Sequence, residues 1–201
     1  LKAGELPEGW DEDDPATVHM LSQKDTDARW TKKNQETHFG YKNHINADAK
    51  NKLIRAYEVT AASVHDSQVF DELLDQSTDD EGKKRAAYAD SAYRSKDQEE
   101  RLQTNGIESQ VCEKGTRGNP LTEEQQASNR QKSKTRSRVE HVFGAQAQMG
   151  GHVARTIGMA RARVKIAMMN LAYNMRRFVL LCRDEIQSGN GFDGSGAPAM
   201  A

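Results

Sequence analysis

The sequence predicts an α/β protein built on a mixed sheet, and three observations carry that reading. Two β-rich segments, 37–46 and 53–60, flank the turn-forming run Asp48-Ala-Lys-Asn51. Two short strand-like runs, 85–90 and 107–112, alternate with helical patterns. Two long helical stretches, 122–147 and 159–184, close the chain. The hairpin supplies antiparallel pairing, and the helical crossovers supply parallel pairing.

Each element has its local reason. Residues 1–28 hold Pro7, Gly9 and Pro15 among many acids and read as an acidic irregular arm. In 37–46, Phe39, Tyr41 and Ile45 share one face of an alternating strand. Leu53 to Thr60 is rich in β formers, and the Asp/Asn turn before it pairs the two segments as a hairpin. His65-Asp66-Ser67 is an N-cap signal ahead of Val69, Phe70, Leu73 and Leu74 at helical spacing, which predicts a helix over 67–76. A polar loop follows at 77–82. The small residues of Arg85 to Asp90 suit a strand buried on both faces. A helix over 95–105 points Leu102 inward, Ile107 to Cys112 is a strand, and 116–126 is a basic, proline-bearing connection. The Gly/Ser/Ala-rich end, 188–201, reads as a disordered tail. The remainder, 29–187, is expected to form one domain around a single core, in keeping with a length of 201 residues.

Composition excludes several classes. Only 35% of residues are hydrophobic and 29% are charged, and no run approaches the roughly 18 apolar residues of a spanning helix. Leu1 to Gly9 lack a basic-then-apolar signal pattern. Two cysteines, Cys112 and Cys182, make no disulfide framework and no zinc motif, which points to a reducing cytosol. No G-x-S-x-G elbow and no phosphate-binding G-x-x-x-x-G-K-[ST] loop occurs, which argues against a serine hydrolase and against ATP use.

The net charge of −1 hides a strong asymmetry. Residues 1–28 carry eight acids against Lys2 and Lys24. The stretch 130–183 carries twelve bases and one acid, Glu140. Such a segment repels itself unless a polyanion or an acidic partner neutralises it. Nucleic acid is the first reading; the alternative is pairing with the acidic segment of this or another copy. Within the basic stretch Lys134, Arg136, Arg138 and Arg155 are candidate backbone contacts. Trp30 and Lys33 of W-T-K-K either touch DNA or pack the arm onto the core, and Lys42 is either a phosphate contact or an exposed strand lysine.

Two carboxylates stand in unlike settings. Asp90 closes the strand A-A-Y-A-D, and ligands gather at the carboxyl ends of strands in open α/β sheets; its plainer role is a strand-end cap. Glu140 borders the apolar stripe of Val139, Val142 and Phe143, four residues after Arg136; its plainer role is an ion pair with that arginine. Together they offer hard oxygen ligands inside a basic groove, where bases hold phosphates and acids hold a divalent metal.

W-T-K-K (30–33), H-F-G-Y-K-N-H (38–44), V-T-A-A-S-V-H-D-S (59–67), Y-A-D-S-A-Y (88–93), R-S-R-V-E-H-V-F-G (136–144) and N-L-A-Y-N-M-R-R (170–177) resemble, in order, the catalytic domain of DDE-type insertion-sequence transposases of bacteria. The resemblance covers about residues 24–180. It implies an RNase H-like fold, Mg²⁺ or Mn²⁺ as cofactor, and an Asp-Asp-Glu triad whose second Asp matches Asp90 and whose Glu matches Glu140. It implies double-stranded DNA as substrate, cut-and-paste transposition by phosphodiester cleavage and strand transfer, a homo-oligomer, and a cytoplasmic, nucleoid-associated protein. In the related signature Tyr-x2-Arg-x3-Glu-x6-Lys, Arg136 and Glu140 fit, whereas Ser133 and Ala147 replace Tyr and Lys. The family's first Asp lies on a strand upstream of W-T-K-K, and nothing in Leu1 to Asp27 reads as such a strand. The expectation is therefore a C-terminal portion of the catalytic domain without its central first strand, completed by an upstream N-terminal fragment. The rival readings are an inactive DNA-binding remnant or inhibitor, and an RNase H-like nuclease outside transposition.

Overall fold

A computed structural model describes residues 8–11, 13–33, 35–74, 85–151 and 155–187, with the side chains of 185 and 186 left out. The expected tail at 188–201 and the polar loop at 77–82 lie outside the described residues. The architecture is mixed α/β. In chain order it comprises α1 (Pro15–Ser22), β1 (Arg29–Lys33), β2 (Glu36–Ala47), β3 (Ile54–Ala61), α2 (Phe70–Leu73), β4 (Ala86–Ala87), α3 (Lys96–Thr104), β5 (Glu108–Ser109), α4 (Glu123–Gln148) and α5 (Met159–Gln187), with short 3-10 turns at Asp66–Gln68 and Ser91–Tyr93.

The first elements depart from the sequence expectation. The arm read as irregular carries α1: Asp14 caps it through the Thr17 amide, and Pro15 starts it, where a missing N–H costs nothing. A single turn-rich, acidic window hid a helix of two turns. W-T-K-K forms β1, whose pairing with β2 sets Trp30 opposite Phe39. Its two lysines carry no apolar alternation, so it is a strand by virtue of its partner.

The hairpin forms as expected. Tyr41 to Ala47 pairs antiparallel with Ile54 to Ala61, with a register shift at Asn46/Ala47. Asp48 accepts from the Lys50 and Asn51 amides in the turn, and Lys52 takes φ 60° to complete it. β4 and β5 pair in parallel. Their assigned length is two residues each, but amides of Glu108, Gln110 and Cys112 donate in sequence to carbonyls of Arg85, Ala87 and Ala89. The expected strands 85–90 and 107–112 are thus present as one ladder. The helix expected over 67–76 is split: His65 caps a 3-10 turn through Ser67, and α2 follows.

Among the described residues, apolar side chains gather in two clusters. Ala87, Ala89, Leu102, Ile107 and Val111 gather under β4–β5, joined by Phe70, Leu74 and Tyr93. Ile54, Val142 and Tyr173 gather under the hairpin, joined by Ile45, Ala47 and Ala145. The two sheets share no backbone ladder among the described strands. α4 lies across both. Its first half is tied to the β5 side, where Asn129 exchanges two bonds with the Glu113 backbone and Lys132 donates to the Val111 carbonyl. Its second half buries Val142 and Gln146 against the hairpin and α5. A Thr122/Gln125 capping box starts α4, and Gly150 at φ 81° ends it.

Candidate active site

Between the sheets lies a cleft of about 1590 Å³. Its walls are β2 on one side, residues 85–90 on the other, and the middle of α4. Over 41–47, β2 pairs with β3 on one edge only, and β4 pairs only with β5, among the described strands. Among the described strands, the two facing edges therefore have no ladder partner.

Asp90 and Glu140 meet here. Asp90 stands at the end of the β4 ladder, where its Oδ1 accepts from the Ser91 amide at 2.6 Å and caps the 91–93 turn. Its other oxygen lies 3.9 Å from Arg136 Nη1. Glu140 Oε1 lies 3.2 Å from Arg136 Nη2, one helical turn away. One guanidinium thus contacts two carboxylates that are 50 residues apart in the sequence. Both acids are more than half exposed. Exposed pairs of this kind contribute only about 0–1 kcal/mol, so Arg136 is a displaceable counter-charge.

That arrangement bears on the metal the resemblance implies. Two hard oxygen donors already converge on a shared cation, which fits an oxygen-seeking divalent ion. Among the described residues no three His, Cys, Asp or Glu side chains stand close enough to hold a metal together.

The other sequence candidates divide. Arg136, Arg138, Lys42 and Lys33 line the cleft. Arg138 donates to the Ala49 carbonyl at the hairpin turn. Lys42 is turned inward, donating to the Val64 carbonyl at 2.8 Å and pairing with Asp66 at 3.3 Å. Trp30 is exposed on the β1–β2 ribbon, packed at a tilt of 46° against Phe39 with ring centroids 5.1 Å apart. Lys134 and Arg155 are exposed and stand outside the cleft lining. Asp27 accepts from the Met159 amide and so caps α5, while no ion pair among the described residues joins the basic stretch to the acidic arm.

Three further groups stand in the cleft wall: His44, Asp66 and Tyr93. His44 is buried beside Asp66 at 3.4 Å and exchanges a 2.8 Å bond with Thr60. Burial pushes the His44 imidazole below its ordinary value; the Asp66 carboxylate pulls the other way but is the weaker influence. Tyr93 lines the same wall, and burial, with Asp66 and Asp90 nearby, pushes its phenol up to about 12. It therefore stays a proton donor across the physiological range. The register of β2 on β3 could not be read finely enough to place Thr60 beside His44.

The depressed His44 value predicts a pH effect on stability. Unfolded, the imidazole takes a proton near pH 6.5; folded, it resists until lower pH. Its stabilising contribution is complete above about pH 6.5 and is lost as pH falls through the folded value. Urea midpoints should decline from pH 7.5 to 5, and His44→Gln should flatten that decline. An identical decline in the variant would show that His44 is not the titrating group.

Among the described residues no helix is long and apolar enough to cross a membrane. Residues 14–175 match the transposase DDE domain family. The chain is similar to the transposase for insertion sequence element IS1106 of Neisseria meningitidis serogroup B, with 34% identity over 134 residues, 67% of this chain and 45% of that protein. The match thus spans about half of the relative's length. No solved structure matches the chain. With the ordered motifs, the two carboxylates at one cleft and a match across most of its length, the chain belongs to the transposase DDE domain family of bacterial insertion sequences.

Proposed function

We propose that this chain supplies two of the three metal-binding carboxylates, and much of the DNA-holding surface, of a cut-and-paste DNA transposase. The observation that carries this reading is the convergence of Asp90 and Glu140 on the Arg136 guanidinium at the mouth of the cleft. In the working enzyme Asp90 and Glu140 would hold Mg²⁺ or Mn²⁺. When bound, the metal supplies Lewis-acid stabilisation of the attacking and leaving oxygens in phosphodiester displacement. Arg136, released from its carboxylates, turns to the phosphate backbone, and Arg138 and Lys33 extend the basic wall along the cleft. The exposed Trp30–Phe39 pair offers apolar contact to the sugar-phosphate edge. Lys134 and Arg155, outside the cleft, suit the more distant path of a bound duplex.

The same reading accounts for the cleft. Among the described strands, two edges without a ladder partner face each other across it. A further strand seated between β2 and β4 would pair with both and convert two small sheets into one mixed, RNase H-like sheet. An acid at the end of that strand would stand near Asp90 and Glu140 as the third donor. We infer that such a segment accompanies this chain in the active enzyme, which acts on bacterial chromosomal DNA in the cytoplasm.

The test is strand cleavage of transposon-end duplex with Mg²⁺ or Mn²⁺, using the chain joined to a segment that carries an apolar strand ending in Asp. Metal-dependent nicking supports the reading. Binding without nicking under every such combination favours the inactive DNA-binding remnant. Nicking with no strand transfer favours a nuclease outside transposition.

DNA affinity gives a second measure. Neutralising phosphates releases condensed counterions, so log K falls against log salt with a slope of about 0.9 per contact on duplex DNA. Arg136→Ala should reduce that slope by ~0.9 and weaken binding alike on all sequences. An unchanged slope removes Arg136 from the DNA interface.

A further inference from the structure

The run V-H-D-S at 64–67 takes no part in the metal and DNA roles assigned above, yet it joins the two walls of the cleft. Lys42, His44 and Asn46 alternate along β2 and so project from one face of it. All three reach the chain that follows β3. Lys42 Nζ donates to the Val64 carbonyl at 2.8 Å and lies 3.3 Å from Asp66 Oδ1. His44 Nδ1 stands 3.4 Å from the same oxygen, and Asn46 donates to the Leu73 carbonyl. The other face of β2 turns to the helices: Asn43 bonds to Asn170 of α5, and Ile45 packs with Val142 and Tyr173.

Segment 64–74 is bound as firmly to the other half. Phe70 and Leu74 pack on the cluster under β4–β5, and Asp71 accepts from Gln98 of α3 at 2.7 Å and pairs with Arg101. The 66–68 turn packs on the 91–93 turn, where the Phe70 and Tyr93 rings lie 5.1 Å apart. Asp90 starts that second turn: its Oδ1 takes the Ser91 amide, and its carbonyl takes the Tyr93 amide at 3.0 Å. A continuous path of polar contacts and packed rings therefore runs from β2 to Asp90. α4 is one splint between the halves and carries Glu140. Segment 64–74 is a second splint, and it leads to Asp90.

We propose that Asp66 is a positioning residue for Asp90: held by Lys42 and His44 of β2, it clamps segment 64–74 between the two sheets and so fixes the span from Asp90 to Glu140. Lys42 serves the clamp and not the DNA, because its ammonium is already engaged by a carbonyl and a carboxylate. The clamp acts on Asp90 as a metal ligand and to that extent rests on the reading above; its mechanical part is measured without metal.

Nitroxide labels at Gln103→Cys on α3 and Ala172→Cys on α5, both exposed positions, report the distance between the halves by pulsed electron paramagnetic resonance. The background is Cys182→Ser, and Cys112 is buried. Asp66→Ala should broaden or shift the parent's distance distribution at unchanged circular dichroism. Lys42→Met removes the same contact from the β2 side and should do likewise; it decides alone if Asp66→Ala unfolds. Manganese affinity should fall about 10-fold in Asp66→Ala, the size typical of losing a partner that orients a metal ligand. Asp66→Asn keeps an acceptor for Lys42 and should recover part of that loss. Asp90→Asn is measured alongside: if it leaves manganese binding unchanged, the metal reading fails and the distances alone decide the clamp. Distances equal to the parent's in the folded variants overturn the proposal. So does full manganese affinity in Asp66→Ala where Asp90→Asn has lost it.

Discussion

Glu140→Gln or Asp90→Asn should cut metal-dependent strand cleavage by about 10³-fold or more while leaving DNA affinity equal or higher. Each change removes one carboxylate charge and little volume. A bound metal supplies several kcal/mol of transition-state stabilisation, and about 4 kcal/mol corresponds to ~10³ in rate. Affinity for DNA should not fall, because both acids sit beside Arg136 and removing negative charge there favours an approaching phosphate. Both side chains are more than half exposed, and substitutions at such sites usually shift stability by no more than about 0.5 kcal/mol. Loss of activity through unfolding is thereby separated from loss of a ligand. Manganese binding, followed by electron paramagnetic resonance without any DNA, supplies a readout independent of turnover. Each variant should weaken it, and the double variant should abolish it. If both single variants bind manganese like the parent chain, Asp90 and Glu140 are not its ligands.

The largest stability effect is expected at Asn170. This side chain is buried in α5 and joins three elements: its Oδ1 accepts from Asn43 of β2 and from Gln146 of α4, each at 2.8 Å, and its Nδ2 donates to Asn43 at 3.2 Å. Asn170→Leu keeps the branched heavy-atom shape and removes all three bonds. Asn43 and the buried Gln146 are then left without partners, at about 1–3 kcal/mol each. A total loss of about 2–5 kcal/mol is expected, which for a chain of this size lowers Tm by roughly 5–15 °C. Urea unfolding of the variant against the parent measures it. A loss below about 1 kcal/mol would mean that water or a local shift satisfies both amides. Gln146 lies six residues after Glu140 on α4, so the same substitution should also loosen the helix that presents Glu140.

Local patterns explain which parts were legible. α3, α4 and α5 fall within a few residues of their expected bounds, because capping signals and helical spacing are properties of one segment. The hairpin was legible through its Asp/Asn turn. β1 was not, because Lys32 and Lys33 carry no alternation and the strand exists only against Glu36 to Gly40. The split of the core into two clusters was also invisible, since it depends on two sheets that do not pair. At the site, the sequence placed Asp90 at a strand end and Glu140 one turn from Arg136. The approach of that arginine to Asp90 spans the space between separate elements and has no sequence signature. The same holds for His44 and Asp66, which are 22 residues apart and meet only through the fold of β2 against the 66–68 turn.

The two small sheets are held in their mutual orientation by helical segments and side-chain packing, with no backbone ladder between them among the described strands. Packed side chains yield more readily than hydrogen-bonded strands do. Asp90 rides with one half, while Glu140 sits on the helix that splints both. The gap between these acids is accordingly a compliant dimension, sensitive to any bending of α4. Whatever seats itself between the halves would act as a wedge that fixes their angle, and with it the span from Asp90 to Glu140.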